Sequence, residues 1–240
     1  MRFGALLLLL IAGSAIAALH EHPPPTVLAP GYADLEFTPP KAGTYRLPPL
    51  GVAADGNVLE SNGNAARLYD LLGAKITVVS FIFTRCSDVN GCPLATHVLR
   101  GVQDRVDVDA ELRGNVRLLS MSFDPSYDTP AVLDAYAAHF RKKGFDWRFV
   151  TCPTERELAP VLDAYGQSVV PDVDESGQRL GSMSHILRVY LIDRERRIRN
   201  IYSVSFLHAD TVANDVKTLL LEERSNHRAV GDDVSASSGG

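Results

Sequence analysis

Cys86 and Cys92 stand on either side of Ser87-Asp88-Val89-Asn90-Gly91, directly after the apolar run Ile76–Phe83 and directly before Pro93. A thiol at the start of a helix meets unpaired backbone N–H groups and the positive end of the helix dipole. Those favour the thiolate, the form that attacks disulfides and binds metals. Asn90-Gly91 is a strong turn signal, so the loop between the cysteines can fold back and bring both sulfurs together. Three chemistries are open to such a pair: binding of a soft metal, thiol–disulfide exchange, and a closed structural disulfide. The last is weakened by the spacing, because so small a loop restrains little chain entropy. Cys152, in Phe149-Val150-Thr151-Cys152-Pro153, has no partner near it in sequence and reads as a buried, inert thiol. His185, taken alone, reads as a core or surface histidine, and so do His97 and His139 on helical stretches.

The elements that position the cysteines follow from hydrophobic period and turn chemistry. Ile76–Phe83 is β-branched and aromatic nearly throughout, as a central strand covered on both faces must be. Pro93 opens a helix over 94–106, since proline is tolerated at a helix start. Val116–Ser122 reads as a second strand. Asp128-Thr129-Pro130 caps a helix over 131–140, with Asp124 and Asp128 as turn and cap residues. Trp147–Val150 is a short strand and Glu155–Tyr165 a helix. Ser184–Asp193 alternates as one strand carrying His185, paired with 198–203 through the turn Arg194-Glu195-Arg196-Arg197. Ala209–Leu221 closes the domain as a helix. Strands alternating with helices, then a late hairpin, predict an α/β fold of thioredoxin-like arrangement, a central mixed β-sheet flanked by helices. Reactive groups in such sheets collect at the carboxyl ends of strands, where Cys86 lies.

The totals set the outer limits. Across 240 residues there are 24 Lys+Arg and 29 Asp+Glu, a net charge of -5, with 45% hydrophobic residues. That is the composition of a folded globular chain. It offers no basic field for phosphate, so no nucleic acid partner is expected. Met1-Arg2 precede an apolar run with five leucines, Leu6–Leu10, and Ala15-Ile16-Ala17 fits a signal-peptidase site. Residues 1–17 therefore read as a signal peptide or an uncleaved anchor, and the body as periplasmic or otherwise exported, touching a membrane only if that segment is uncut. A cut after Ala17 would expose Ala18-Leu19-His20, whose amine, amides and imidazole suit square-planar Cu(II). Residues 18–43 are a Pro-rich linker or a segment laid over the domain, 44–222 the domain, and 223–240 a disordered tail.

The motifs as a set resemble the SCO/SenC family of thioredoxin-like copper proteins. Phe81-Ile82-Phe83-Thr84-Arg85-Cys86 followed by Cys92-Pro93 is similar to the family's Phe-x-Tyr-Thr-x-Cys-x3-Cys-Pro segment. Ser122-Phe123-Asp124-Pro125 with Asp128-Thr129-Pro130 matches its Ser-x-Asp-Pro-x-x-Asp-Thr-Pro signature. Trp147 with Phe149-Val150-Thr151 fits its Trp-x-Phe-Leu-Thr strand, and Ser184-His185 ahead of Tyr190-Leu191-Ile192-Asp193 fits its histidine-bearing strand. The resemblance implies that Cys86, Cys92 and His185 bind one copper ion, Cu(I) or Cu(II), for delivery to a cuproprotein client such as cytochrome c oxidase subunit II. The alternative is an exported thiol–disulfide oxidoreductase with Cys86 and Cys92 as its catalytic pair. Met183 reads as a mobile loop methionine. The chain departs from the family in one respect: five residues separate the cysteines where the family has three. The extra pair is placed at Asn90-Gly91, because Asp88-Val89 matches the motif.

Overall fold

The computed structural model describes residues 26–237, with side chains as far as 226. The signal segment 1–17 and Ala18-Leu19-His20 lie outside the described residues. In chain order the strands are β1 (Gly51–Val52), β2 (Asn57–Glu60), β3 (Ala65–Arg67), β4 (Ile76–Ile82), β5 (Val116–Ser122), β6 (Trp147–Thr151), β7 (Val169–Val173), β8 (Arg179–His185), β9 (Val189–Ile192) and β10 (Arg197–Tyr202). The helices are α1 (Leu68–Leu71), α2 (Cys92–Asp107), α3 (Ala110–Asn115), α4 (Pro130–Ala137), α5 (Glu155–Ala164) and α6 (Ala209–Ser237). Among the described residues no helix is long and apolar enough to cross a membrane.

Eight strands form one mixed sheet in the order β1-β10-β9-β4-β5-β6-β2-β3. β4 runs parallel to β5, and β5 parallel to β6; the other pairs are antiparallel. Every residue of β4 and β5 is buried, which is why both read as unbroken apolar runs instead of alternating ones. α2 and α6 pack on each other and on β4. Ser80 and Ser120 sit inside this apolar centre because each hydroxyl has the other as partner, and Ser120 also accepts from the Trp147 indole.

Three expectations change. The segment Ser184–Asp193 is not one strand. Its first residues end β8, which pairs only with β7 in a separate two-stranded sheet, with Val169 opposite His185. The chain then leaves regular structure over 186–188 and enters the main sheet as β9. Ile186 is half exposed and Leu187 buried, so the alternation in sequence persists across a break in pairing. The second change is Asp128. The cap of α4 is Thr129, whose hydroxyl accepts from the Val132 N–H. Asp128 is fully buried and accepts from the Thr84 N–H (3.1 Å), the Thr84 hydroxyl (2.5 Å) and the Ser122 hydroxyl (2.6 Å). It ties the end of β4 to the end of β5, just ahead of Cys86. The third change is the tail: residues 223–237, expected as part of a disordered tail over 223–240, continue α6 beyond the helix read to Leu221, its backbone running to Ser237.

Asp128→Ala removes the acceptor of the fully buried Ser122 hydroxyl and of two partly buried Thr84 donors, and unsatisfied buried groups cost roughly 1–3 kcal/mol each at most, partly relieved by relaxation. Urea unfolding should show a loss of about 3 kcal/mol, while a surface control such as Asp163→Ala changes stability by less than about 0.5 kcal/mol.

Candidate metal centre

Cys86 is delivered by the end of β4. After Ile82 the chain makes a turn closed by the Cys86 N–H on the Phe83 carbonyl (3.2 Å), then a second turn closed by the Gly91 N–H on the Asp88 carbonyl (2.9 Å). The Asn90 N–H also reaches the Asp88 side chain (3.0 Å). The second turn takes up the extra chain length between the cysteines. Gly91 then caps α2, with Cys92 as its first residue and Pro93 in the first turn.

His185 comes from a part of the chain 93 positions beyond Cys92, at the end of β8. Its ring packs against Phe83 (5.8 Å between centroids) and Phe123 (5.0 Å), which also touch each other (5.2 Å). Its Nδ1 is 3.2 Å from the Met183 carbonyl. A carbonyl only accepts, so Nδ1 carries the proton and Nε2 presents its lone pair. That nitrogen is 3.5 Å from Cys92 Sγ. One donor atom from each of Cys86, Cys92 and His185 lies within 4.8 Å of the others. First-row metal bonds of about 2.0–2.3 Å place donors roughly 3.5–4 Å apart, so the group needs only a small contraction to hold an ion. Two soft sulfurs and one imidazole are a donor set suited to copper.

The two sulfurs are not equivalent. Cys92 is 1% exposed and Cys86 half-buried. The Cys92 thiol hydrogen-bonds to Cys86, and this, together with backbone hydrogen bonds led by the Cys92 N–H, outweighs burial. Cys86 is lowered from the usual 9 to about 6. Cys92 is raised, because its thiol donates a hydrogen bond to Cys86 and is buried beside that sulfur's charge. The helix start therefore does not make Cys92 the thiolate. Its position helps its neighbour instead. The Phe83 N–H also points at the Cys92 sulfur (3.4 Å).

Several contributors are not evident from sequence. Arg85 pairs with Asp124 (2.8 Å), lies over the Tyr127 ring (4.0 Å) and packs against Gly181 of β8. Gly181 has φ +83, and a Cβ there would come within 3.1 Å of the guanidinium. Arg85 thus joins the cysteine loop, the loop after β5 and the histidine hairpin. Its place next to Cys86 was the available signal. Met183 enters through its carbonyl and is packed partly against the core. Cys152 is buried and pushed up to about 12 by burial, as an inert thiol is. His97 lies against the Tyr32 ring on α2, and His139 is exposed. Beside Cys86 and Cys92 a cavity of about 260 Å³ opens between Phe83, Tyr136, Phe140 and Arg100.

The sequence profile of the SCO1/SenC family matches residues 53–221. The SCO1 protein homolog of Bacillus subtilis (strain 168) is 25% identical over 158 residues, covering 65% of this chain and 77% of that protein. Bradyrhizobium japonicum ScoI, solved with copper bound, is 25% identical with a TM-score of 0.57, over 69% of this chain and 98% of that one. BsSco is described as a member of the Sco family of cytochrome c oxidase assembly proteins with a disulfide switch. It shares the fold at 23% identity and a TM-score of 0.56, over 71% of this chain and 95% of its own. A profile match over more than half the chain, on a mixed sheet flanked by helices, places this protein in the SCO1/SenC family.

Proposed function

We propose that the protein is an exported copper metallochaperone, taking one copper ion as cargo on Cys86, Cys92 and His185 and passing it to a cuproprotein client such as cytochrome c oxidase subunit II. The observation that carries this reading is the convergence within 4.8 Å of three donor atoms, His185 standing 93 positions from Cys92 in sequence. Support comes from the family, from the relative solved with copper bound, and from the chemistry of the donors. Thiolates hold Cu(I), and thiolate with imidazole also suits Cu(II). Export rests on the pattern of residues 1–17.

In this reading Cys86 is the ligand that needs no deprotonation at neutral pH, since it is already a thiolate. Cys92 gives up its proton as the ion binds. His185 offers Nε2 without losing a proton, because the Met183 carbonyl fixes the tautomer. A half-exposed sulfur and a half-exposed imidazole leave a side from which a client's ligands can approach.

One feature favours a second reading. A low-pKa thiolate beside a protonated thiol is also the arrangement of a thiol–disulfide reductant. Cys86 attacks a client disulfide, a mixed disulfide forms as one client thiolate leaves, and Cys92 then displaces the second client thiolate to close Cys86–Cys92. That chemistry has no use for His185 as a ligand.

Copper titration of the reduced, full-length chain separates the two. The chaperone reading expects one copper per chain, abolished by Cys86→Ala or Cys92→Ala and weakened at least about tenfold by His185→Ala. Undiminished copper binding in His185→Ala, with disulfide reduction lost in the double-cysteine variant, favours the reductant instead. In the metal-free, reduced protein, alkylation of Cys86 should follow its thiolate. Below about 6 the thiol is protonated and slow; the rate rises through that value and levels by about pH 7, read by peptide mass spectrometry. In Cys92→Ala the midpoint should move upward, because the hydrogen bond that lowers it is gone.

A further inference from the structure

Asn90, one of the two residues by which the cysteine loop exceeds the family spacing, does not face solvent alone. Its side-chain amide grips the backbone of the N-terminal segment at two points. Oδ1 accepts from the Ala29 N–H (2.8 Å) and Nδ2 donates to the Val27 carbonyl (2.8 Å). The next residue back, Val89, accepts at its carbonyl from the Tyr32 hydroxyl (2.5 Å). The Tyr32 ring lies 4.8 Å from that of His97 on α2.

The segment that receives these bonds is itself fixed. Ala29 and Gly31 are buried. A Cβ on Gly31 would meet the Leu207 carbonyl at 2.3 Å and Val98 at 3.0 Å, so only glycine lets the backbone lie this close to α2 and the turn before α6. Two residues on, the Ala33 carbonyl is 3.0 Å from His208 Nε2. A rigid strap is thus bonded to the tip of the turn that lies between the two sulfurs.

We propose that Asn90, with Tyr32 and the strap 27–32, is a clamp that positions Cys86 against Cys92, making the N-terminal segment a working part of the sulfur site. A loop of five residues samples many widths, and most of them hold the sulfurs too far apart to act together. Anchoring its tip at three hydrogen bonds selects the narrow ones. Each such bond contributes roughly two- to tenfold to an equilibrium. The clamp explains how a spacing longer than the family's keeps both sulfurs within reach of one imidazole. It rests on the cysteine pair being the reactive site, whether for copper or for disulfide exchange.

The test uses the full-length, metal-free chain in glutathione buffers. One oxidised glutathione and the two cysteine thiols give the Cys86–Cys92 disulfide and two reduced glutathiones, so the equilibrium constant reports how readily the sulfurs meet. Asn90→Ala should lower it about tenfold, and Tyr32→Phe by roughly threefold. The double variant should fall short of the product, because both bonds hold one loop. Amide exchange over 88–91 should quicken in Asn90→Ala. A constant within about twofold of the parent in Asn90→Ala overturns the clamp, whatever happens to the melting temperature. No copper enters the measurement, so loss of the chaperone reading leaves this result standing, and loss of the clamp leaves copper binding to be decided on its own.

Discussion

Everything chemical in this domain depends on one approach: His185 Nε2 lying 3.5 Å from a sulfur that follows it in space but precedes it by 93 positions in sequence. An exposed histidine on a free hairpin would not hold that place against the conformational freedom of the chain. Here the ring packs on one side against the touching pair Phe83 and Phe123, and its far nitrogen is tied to the hairpin's own backbone. The hairpin in turn is pinned by Arg85 against Gly181 and by the Arg179–Glu155 ion pair. The exposed ion pair adds little. The contact with the two buried phenylalanines carries the greater part.

How much of this was legible in the sequence follows from where the apolar signal is continuous. β4 and β5 are buried on both faces and announce themselves as unbroken runs, so the strand end that holds Cys86 could be placed from composition. The start of α2 could be placed because Gly91 and Pro93 mark it. The β7–β8 hairpin could not, since Val169–Val173 contains Pro171 and its burial pattern has no fully buried residue. A strand with no fully buried face leaves little periodic trace. The break at 186–188 was hidden for the opposite reason: Leu187 stays buried and keeps the alternation going. The position of His185 was readable from the family motif; the element that carries it was not.

The role of Asp128 shows a similar limit. Aspartate ahead of Thr-Pro is what a helix cap looks like, and local chemistry alone supports that assignment. Only the sheet brings Thr84, 44 positions away, under the carboxylate. Burial then raises its pKa, while the hydroxyls of Ser122 and Thr84 and the Thr84 N–H oppose the rise. A residue that seemed to begin a helix instead braces the turn leading to the first sulfur.

The inequality of the two thiols has a consequence for any cargo ion. Cys92 is sealed in the first turn of α2, whereas Cys86 sits on the loop and His185 at the end of a two-stranded hairpin. Ligand exchange with a client needs incoming donors to reach the ion while the old bonds are still partly made. With Cys92 1% exposed, exchange in the proposed role would begin at Cys86 or His185 and end at Cys92. A site built this way would hold its ion by the ligand that solvent hardly reaches, and would release it through those that a docked partner could.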